Sequence, residues 1–268
     1  MTDLANPFLD WLRAGDRRPL GTWLMAAAPA TAEALGHTGF EFLVVDMEHV
    51  PIGTPELAHI LRAIGCTPAE PVVRLAWNDA VLVKQAMDAG ARTLMLPFVQ
   101  SAEEAAAAAR AMRYSPDGSR GMAAVHRASR FGRIPDYLRP GQRRGLHHRA
   151  ARDPRGGRAA AGDRAVPGVD ALFLGAGDLS AAMGHVGDIG HAEVQALIAK
   201  ATRDAGAAGR PIGIVGPNPE MVGRFLGYGY SFAAVASDVA MMTGRATDWL
   251  GTLRGEAMPA PARPVAAY

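Results

Sequence analysis

The chain has 268 residues, 28 basic against 26 acidic side chains, 49% apolar content and one cysteine, Cys66. That balance excludes a largely disordered chain and allows a sizeable core. No apolar run approaches the ~18 residues of a membrane span, and a lone cysteine excludes an internal disulfide or a multi-cysteine zinc site.

The opening MTDLANPFLDWLRAGD lacks a basic-then-apolar leader, which predicts a mature, cytoplasmic N-terminus. Short apolar runs then recur as predicted strands: Gly21–Ala26, Phe40–Asp46, Pro71–Leu75 and Thr93–Pro97, and later Ala171–Gly175, Pro211–Gly216 and Phe232–Ala236. Each is too short for a helix and rich in Val, Ile, Leu or Phe. Helical periodicity or Ala-rich composition fills Thr54–Ile64, Asp79–Ala89, Ala102–Met112 and His191–Ala208. Asp79 and Ser101 are natural N-caps, and Gly90 and Gly209 are helix stops. Strand–helix alternation predicts parallel strands with right-handed crossovers. Seven strands are legible; eight would close a single (β/α)8 barrel of ~250 residues. A doubly wound open sheet is the alternative, weakened because no Gly-rich phosphate loop follows any strand. The Pro/Ala-rich tail 256–268 is expected to be disordered.

The charge is uneven. Residues 139–164 hold eight Arg and two Asp, a net of +6, while the remaining chain is mildly acidic. A basic island without interleaved aromatics does not read as a nucleic-acid face. His147-His148 sit inside it, but adjacent residues point apart on regular structure, which disfavours a metal pair.

In a barrel, strand C-termini converge on one face. Here the first strand carries Trp23, the second ends in Asp46-Met47-Glu48-His49, the third carries Arg74, and Ala171–Gly175 runs into Ala176-Gly177-Asp178. A histidine is a base near neutrality and an adjacent carboxylate orients it. Arginine offers a planar fork for a carboxylate or enolate, and aspartate is a hard-oxygen ligand for Mg²⁺ or Mn²⁺. Together they suit proton abstraction beside a carbonyl. Plainer readings stay open: a strand-to-loop cap with a solvated His49, an N-capping Asp178, and a Trp23 that only packs. Arg74 is harder to dismiss, because a charge in a buried strand needs a partner.

The segments GTWLMAAAP, FEFLVVDMEHVPI, PVVRLAWNDAVLVKQAMDAGARTLMLPFVQS, SPDGSRGMAAVHRASRFG and VPGVDALFLGAGDLSAAMGH resemble the HpcH/HpaI family of class II pyruvate aldolases, which includes 4-hydroxy-2-oxoheptanedioate and hydroxy-ketoacid aldolases. The resemblance covers most of residues 5–250. It implies a (β/α)8 barrel of the phosphoenolpyruvate/pyruvate type. It implies a homohexamer built as a trimer of domain-swapped dimers, with no nucleic-acid or membrane partner. The implied reaction is reversible cleavage of 4-hydroxy-2-oxoacids to pyruvate, or hydroxypyruvate, plus an aldehyde, with Mg²⁺, Mn²⁺ or Co²⁺ as cofactor. Position by position, it makes His49 the base, Asp46 its companion, and Arg74 the group that holds the ketoacid and stabilises the enolate. Asp178 becomes a metal ligand, and the Gly177 backbone faces the pyruvate carboxylate. Trp23 and Val215 shape the aldehyde side. Asp88 matches an aspartate that raises the basicity of the histidine, although it lies near a helix C-terminus, at the wrong end of its own barrel, and would act only through unexpected geometry or a neighbouring subunit. No Schiff-base lysine is called for, and Lys84 and Lys200, the only lysines, read as helix-surface residues.

The departure is the island. The family's fifth strand reads Val-Gln-(Val or Leu)-Glu-Thr, and its Glu is the second metal ligand. It falls at position 152, where this sequence has Arg152. Synonymous codons exist for Gly141–Gly157 that, read one base on, spell an apolar strand ending in Gln-Leu-Glu-Thr, so the stretch looks frameshifted. As written, it predicts no fifth strand, a loop turned outward and a sheet open between strands four and six. Two other activities stay open: a catalytically impaired oligomeric barrel lacking one metal ligand, and a citrate-lyase-type or phosphoenolpyruvate-using enzyme. The second calls for basic or Gly-rich loops not seen outside the island.

Overall fold

The computed structural model describes residues 5–138, 145–148 and 166–255 of the chain. The Arg-rich stretch apart from 145–148, including Arg149 and Arg152, lies outside them, as does the 256–268 tail. The fold is α/β on a parallel sheet. Its strands are β1 (Leu20–Leu24), β2 (Phe42–Asp46), β3 (Glu70–Arg74), β4 (Thr93–Leu96), β5 (Gly145–His148), β6 (Ala171–Leu174), β7 (Ile212–Gly216) and β8 (Phe232–Ser237). Pairing runs in chain order and returns from β8 to β1.

The expected gap between strands four and six is therefore corrected. β5 pairs with β4 over four residues and with β6 through His147↔Ala171 and His148↔Leu172. A ladder needs only backbone N–H and C=O, which every non-proline residue supplies. Gly-Leu-His-His can provide these without the apolar pattern that makes a strand legible. β5 ends before Arg149.

The described helices are α1 (Pro7–Ala14), α2 (Pro29–Gly36), α3 (Thr54–Ile64), α4 (Ala80–Ala89), α5 (Ala102–Ala111), α6 (Ala176–Ala182), α7 (Ala192–Ala207), α8 (Pro219–Tyr228) and α9 (Asp238–Arg254). As read from the sequence, Asp79 and Ser101 cap α4 and α5 through their side chains, and Gly90 ends α4 in the left-handed conformation. None of the described helices is long and apolar enough to cross a membrane.

Two apolar layers follow from the period-two alternation of the strands. Leu43, Val45, Val73, Leu94, Leu96 and Ile214 face outward onto the helices. Phe42, Val44, Val72, Met95, Phe173, Val215 and Phe232 face the interior, with Trp23. α1 closes the strands' N-terminal end. Its Phe8 packs on Phe42 and Phe232 at ring distances of 5.0 and 5.4 Å, and Asn6, its N-cap, donates to Thr93 Oγ1 at 3.0 Å. At the other end, α9 has only Asp238 buried and leaves Met242, Trp249, Leu250 and Leu253 exposed.

Candidate active site

The same alternation that buries Phe42 and Val44 turns Asp46 inward at the last position of β2, and turns Arg74 inward at the last position of β3. The two are register partners. Arg74 donates from Nε to Asp46 Oδ1 at 2.9 Å and from Nη2 to Oδ2 at 2.8 Å, a bidentate fork. Side-chain exposure is 4% for Arg74 and 0% for Asp46. Arg74 Nη1 reaches Glu48 Oε2 at 3.0 Å, and the guanidinium lies 4.2 Å above the Trp23 ring. The buried charge thus has the partner its position demands, and two carboxylates and an indole fix its orientation.

Asp46 also organises the turn after β2, its Oδ1 accepting from the Glu48 N–H at 2.9 Å and the His49 N–H at 3.4 Å. Its link to His49 is thus through the backbone, while both carboxylate oxygens serve Arg74. The imidazole is 43% exposed, with Nε2 3.9 Å from Glu48 Oε2. Glu48, given no role at the sequence level, is therefore the side chain between the His49 imidazole and the guanidinium. Its signal was the Asp-Met-Glu-His run itself, a second carboxylate two residues beyond the first.

Asp178 and Gly177 lie in the first turn of α6, just past β6. The Gly177 carbonyl accepts from Ser180 Oγ at 2.8 Å, and its N–H, in the first helical turn, has no partner within the helix. Trp23 and Val215 are both buried in the interior layer. Asp88 sits elsewhere. α4 starts beyond the C-terminal end of β3 and runs back, so Asp88, in its last turn, lies toward the N-terminal ends of the strands. There it pairs with the buried Arg120, and His126 Nε2 is 3.7 Å away. One chain brings Asp46, Glu48, His49, Arg74 and Trp23 together and leaves Asp88 apart.

The HpcH/HpaI aldolase/citrate lyase family model matches residues 19–140 and 159–243. The chain belongs to the HpcH/HpaI family. The match breaks off across 141–158, within the Arg-rich stretch. This family member is 52% identical to a 2-dehydro-3,6-dideoxy-6-sulfogluconate aldolase of Pseudomonas putida over 90% of this chain and 94% of that one. It is 40% identical to a hydroxypyruvate/pyruvate aldolase of Delftia acidovorans, covering 93% of each. Among solved structures, an HpcH/HpaI aldolase/citrate lyase family protein from Burkholderia cenocepacia J2315 superimposes with a TM-score of 0.89 at 37% identity, over 93% of this chain and all of that one.

Proposed function

We propose that the protein is a cytoplasmic carbon–carbon lyase on a (β/α)8 barrel, cleaving a 4-hydroxy-2-oxoacid to pyruvate or hydroxypyruvate and an aldehyde. The carrying observation is Arg74, buried at the C-terminal end of the strands, forked onto Asp46 and adjacent to the half-exposed His49. Aldolases at 52% and 40% identity support it.

In the cleavage direction, His49 takes the proton of the 4-hydroxyl. The C3–C4 bond breaks, its electron pair moves to C2–C3, and the C2 carbonyl oxygen becomes an enolate. Protonation at C3 then gives the ketoacid. Arg74 stabilises the enolate oxygen, and Asp46 and Glu48 hold the guanidinium in place before the charge develops, so little reorganisation is left for the reaction. Glu48 also keeps a negative charge beside the imidazole as it gains a proton. Gly177 offers a backbone N–H to the substrate carboxylate, and Trp23 and Val215 back the pocket on the aldehyde side.

A divalent cation suits this chemistry, and Asp178, in the first turn of α6 just past β6, is a hard-oxygen donor. The Asp46 oxygens are taken by Arg74, and the family resemblance makes Asp178 one half of a carboxylate pair whose other member falls at Arg152 in this sequence. When bound, Mg²⁺, Mn²⁺ or Co²⁺ would polarise the 2-oxo group. The exposed Trp249, Leu250 and Leu253 of α9 support a homo-oligomer, the hexamer, a trimer of dimers, that the family resemblance implies.

The test is exchange of the pyruvate methyl protons in D2O, followed by NMR with each of the three cations and no aldehyde present. Exchange is expected, and Arg74→Ala should slow it by roughly 10²–10³ while the fold survives. Exchange absent with every cation, or intact in Arg74→Ala, would overturn the reading.

A further inference from the structure

The loop between α6 and α7 brings two imidazoles and a carboxylate together, away from the residues just described. His185 and His191 stack with ring centroids 3.5 Å apart and planes 18° from parallel. His185 Nε2 lies 3.3 Å from Glu193 Oε2. One donor atom from each of the three residues falls within 4.8 Å of the other two, and no other such group of three exists among the described residues. We propose that His185, His191 and Glu193 form a second cation site, for a late first-row transition metal of the zinc class.

Geometry comes first. Zn–N and Zn–O bonds of ~2.0–2.2 Å put two ligands of a tetrahedral ion about 3.3 Å apart, the separation His185 and Glu193 already have. Imidazole lone pairs lie in the ring plane, so the stacked rings cannot aim at one point as they stand, and His191 must rotate out of the stack to complete the set. The third donor has a cost. His191 Nδ1 now accepts from the Glu193 N–H at 3.3 Å as the N-cap of α7. Coordination through either nitrogen ends that cap bond, because Nδ1 gives its lone pair to the ion in one case and carries the ring proton in the other.

Hydrogen bonds of the chain itself frame the loop. His185 N donates to the Ser180 carbonyl at 2.8 Å, Asp188 N to His185 at 2.9 Å, and His191 N to Asp188 at 3.2 Å. Ile189 is fully buried, and Gln195 Nε2 donates to its carbonyl at 2.6 Å. A loop pinned at its middle and both ends spends little entropy on arranging its ligands.

Two imidazoles and one carboxylate favour zinc, cobalt, nickel or copper over magnesium or calcium. The site therefore differs in chemical class from the hard-oxygen position at Asp178, and it does not depend on the proposed reaction.

Zinc chloride titrated calorimetrically into tag-free, chelator-stripped Asp178→Ala protein tests it, because that variant silences the other candidate ligand. One zinc per chain is expected, undisturbed by excess magnesium. His185→Ala and His191→Asn should each weaken it by at least the ~10–100-fold typical of losing a supporting group around a metal. Asparagine preserves the N-cap, so His191→Asn separates loss of a ligand from loss of a helix end. If either variant fails to fold, Glu193→Gln on the exposed flank carries the same expectation. Absence of zinc uptake, or uptake unchanged in the folded variants, overturns the proposal.

Discussion

Replacing Asp46 by Asn keeps the side chain's shape and removes the charge that meets Arg74 through bonds of 2.9 and 2.8 Å. One oxygen of the fork becomes an NH2 pointed at an N–H. Neither group can turn to water, since both side chains are almost wholly buried, and the Glu48 contact at 3.0 Å compensates only one nitrogen. Breaking a buried pair from one side costs about 3–5 kcal/mol. For a chain of this size that is a fall in Tm of roughly 6–20 °C, at about 2–4 °C per kcal/mol. Arg74→Met in the Asp46→Asn background removes the stranded cation and leaves an apolar group over Trp23, so the double variant should regain part of that loss while staying inactive, the remainder reflecting the Arg74 contact that Glu48 also loses. Thermal melts and urea titrations of the two single variants and the double variant give the coupling energy. Asp46→Asn within about 1 kcal/mol of wild type, or effects that add with no coupling, would refute the account of Arg74 as a charge that survives burial through Asp46.

His49→Ala should depress cleavage far more than it weakens cation binding, whereas Asp178→Ala should weaken both. Calorimetric titration alongside pyruvate release distinguishes them, and equal losses of affinity would show the roles to be exchanged. Burial lifts the Glu70 carboxyl above its ordinary value of 4.5, offset in part by Arg92. The folded chain therefore holds that proton more tightly than the unfolded one, and stability drains away as pH climbs through the raised value. Glu70→Gln should match wild type in Tm below about pH 4 and exceed it at pH 7, as scanning calorimetry across that range would show. Leu253→Glu should shift the protein to smaller species in light scattering with its secondary structure unchanged, because Leu253 is 83% exposed on an apolar helix face.

The sequence carried the strands well, because parallel strands covered by helices are apolar runs and each was cut off by a turn or a cap. It also carried the need for a partner at Arg74. It did not say which carboxylate that would be. Asp46 and Arg74 are 28 residues apart and meet only through the β2–β3 register, and Glu48 reaches the same guanidinium only because Asp46 shapes the turn between them. The partners of Asp88 were hidden for a similar reason, Arg120 and His126 coming from a long segment beyond α5. β5 escaped notice because side-chain pattern was the only signal available, and its ladder is made by the backbone. α1, α2, α6, α8 and α9 are not among the helical stretches read from the sequence either. α1 is eight residues long, and α9 has almost no buried stripe for periodicity to reveal.

The aromatic floor built by Phe8 against Phe42 and Phe232 seals one end of the sheet's interior. On the proposed reading, substrate and both products then share the opening at the C-terminal ends of the described strands. The fragment anchored on Arg74 sits innermost, so the aldehyde leaves first and the ketoacid follows. In the synthetic direction the queue reverses: ketoacid enters, aldehyde comes behind it, and an aldehyde arriving early bars the way to its own partner.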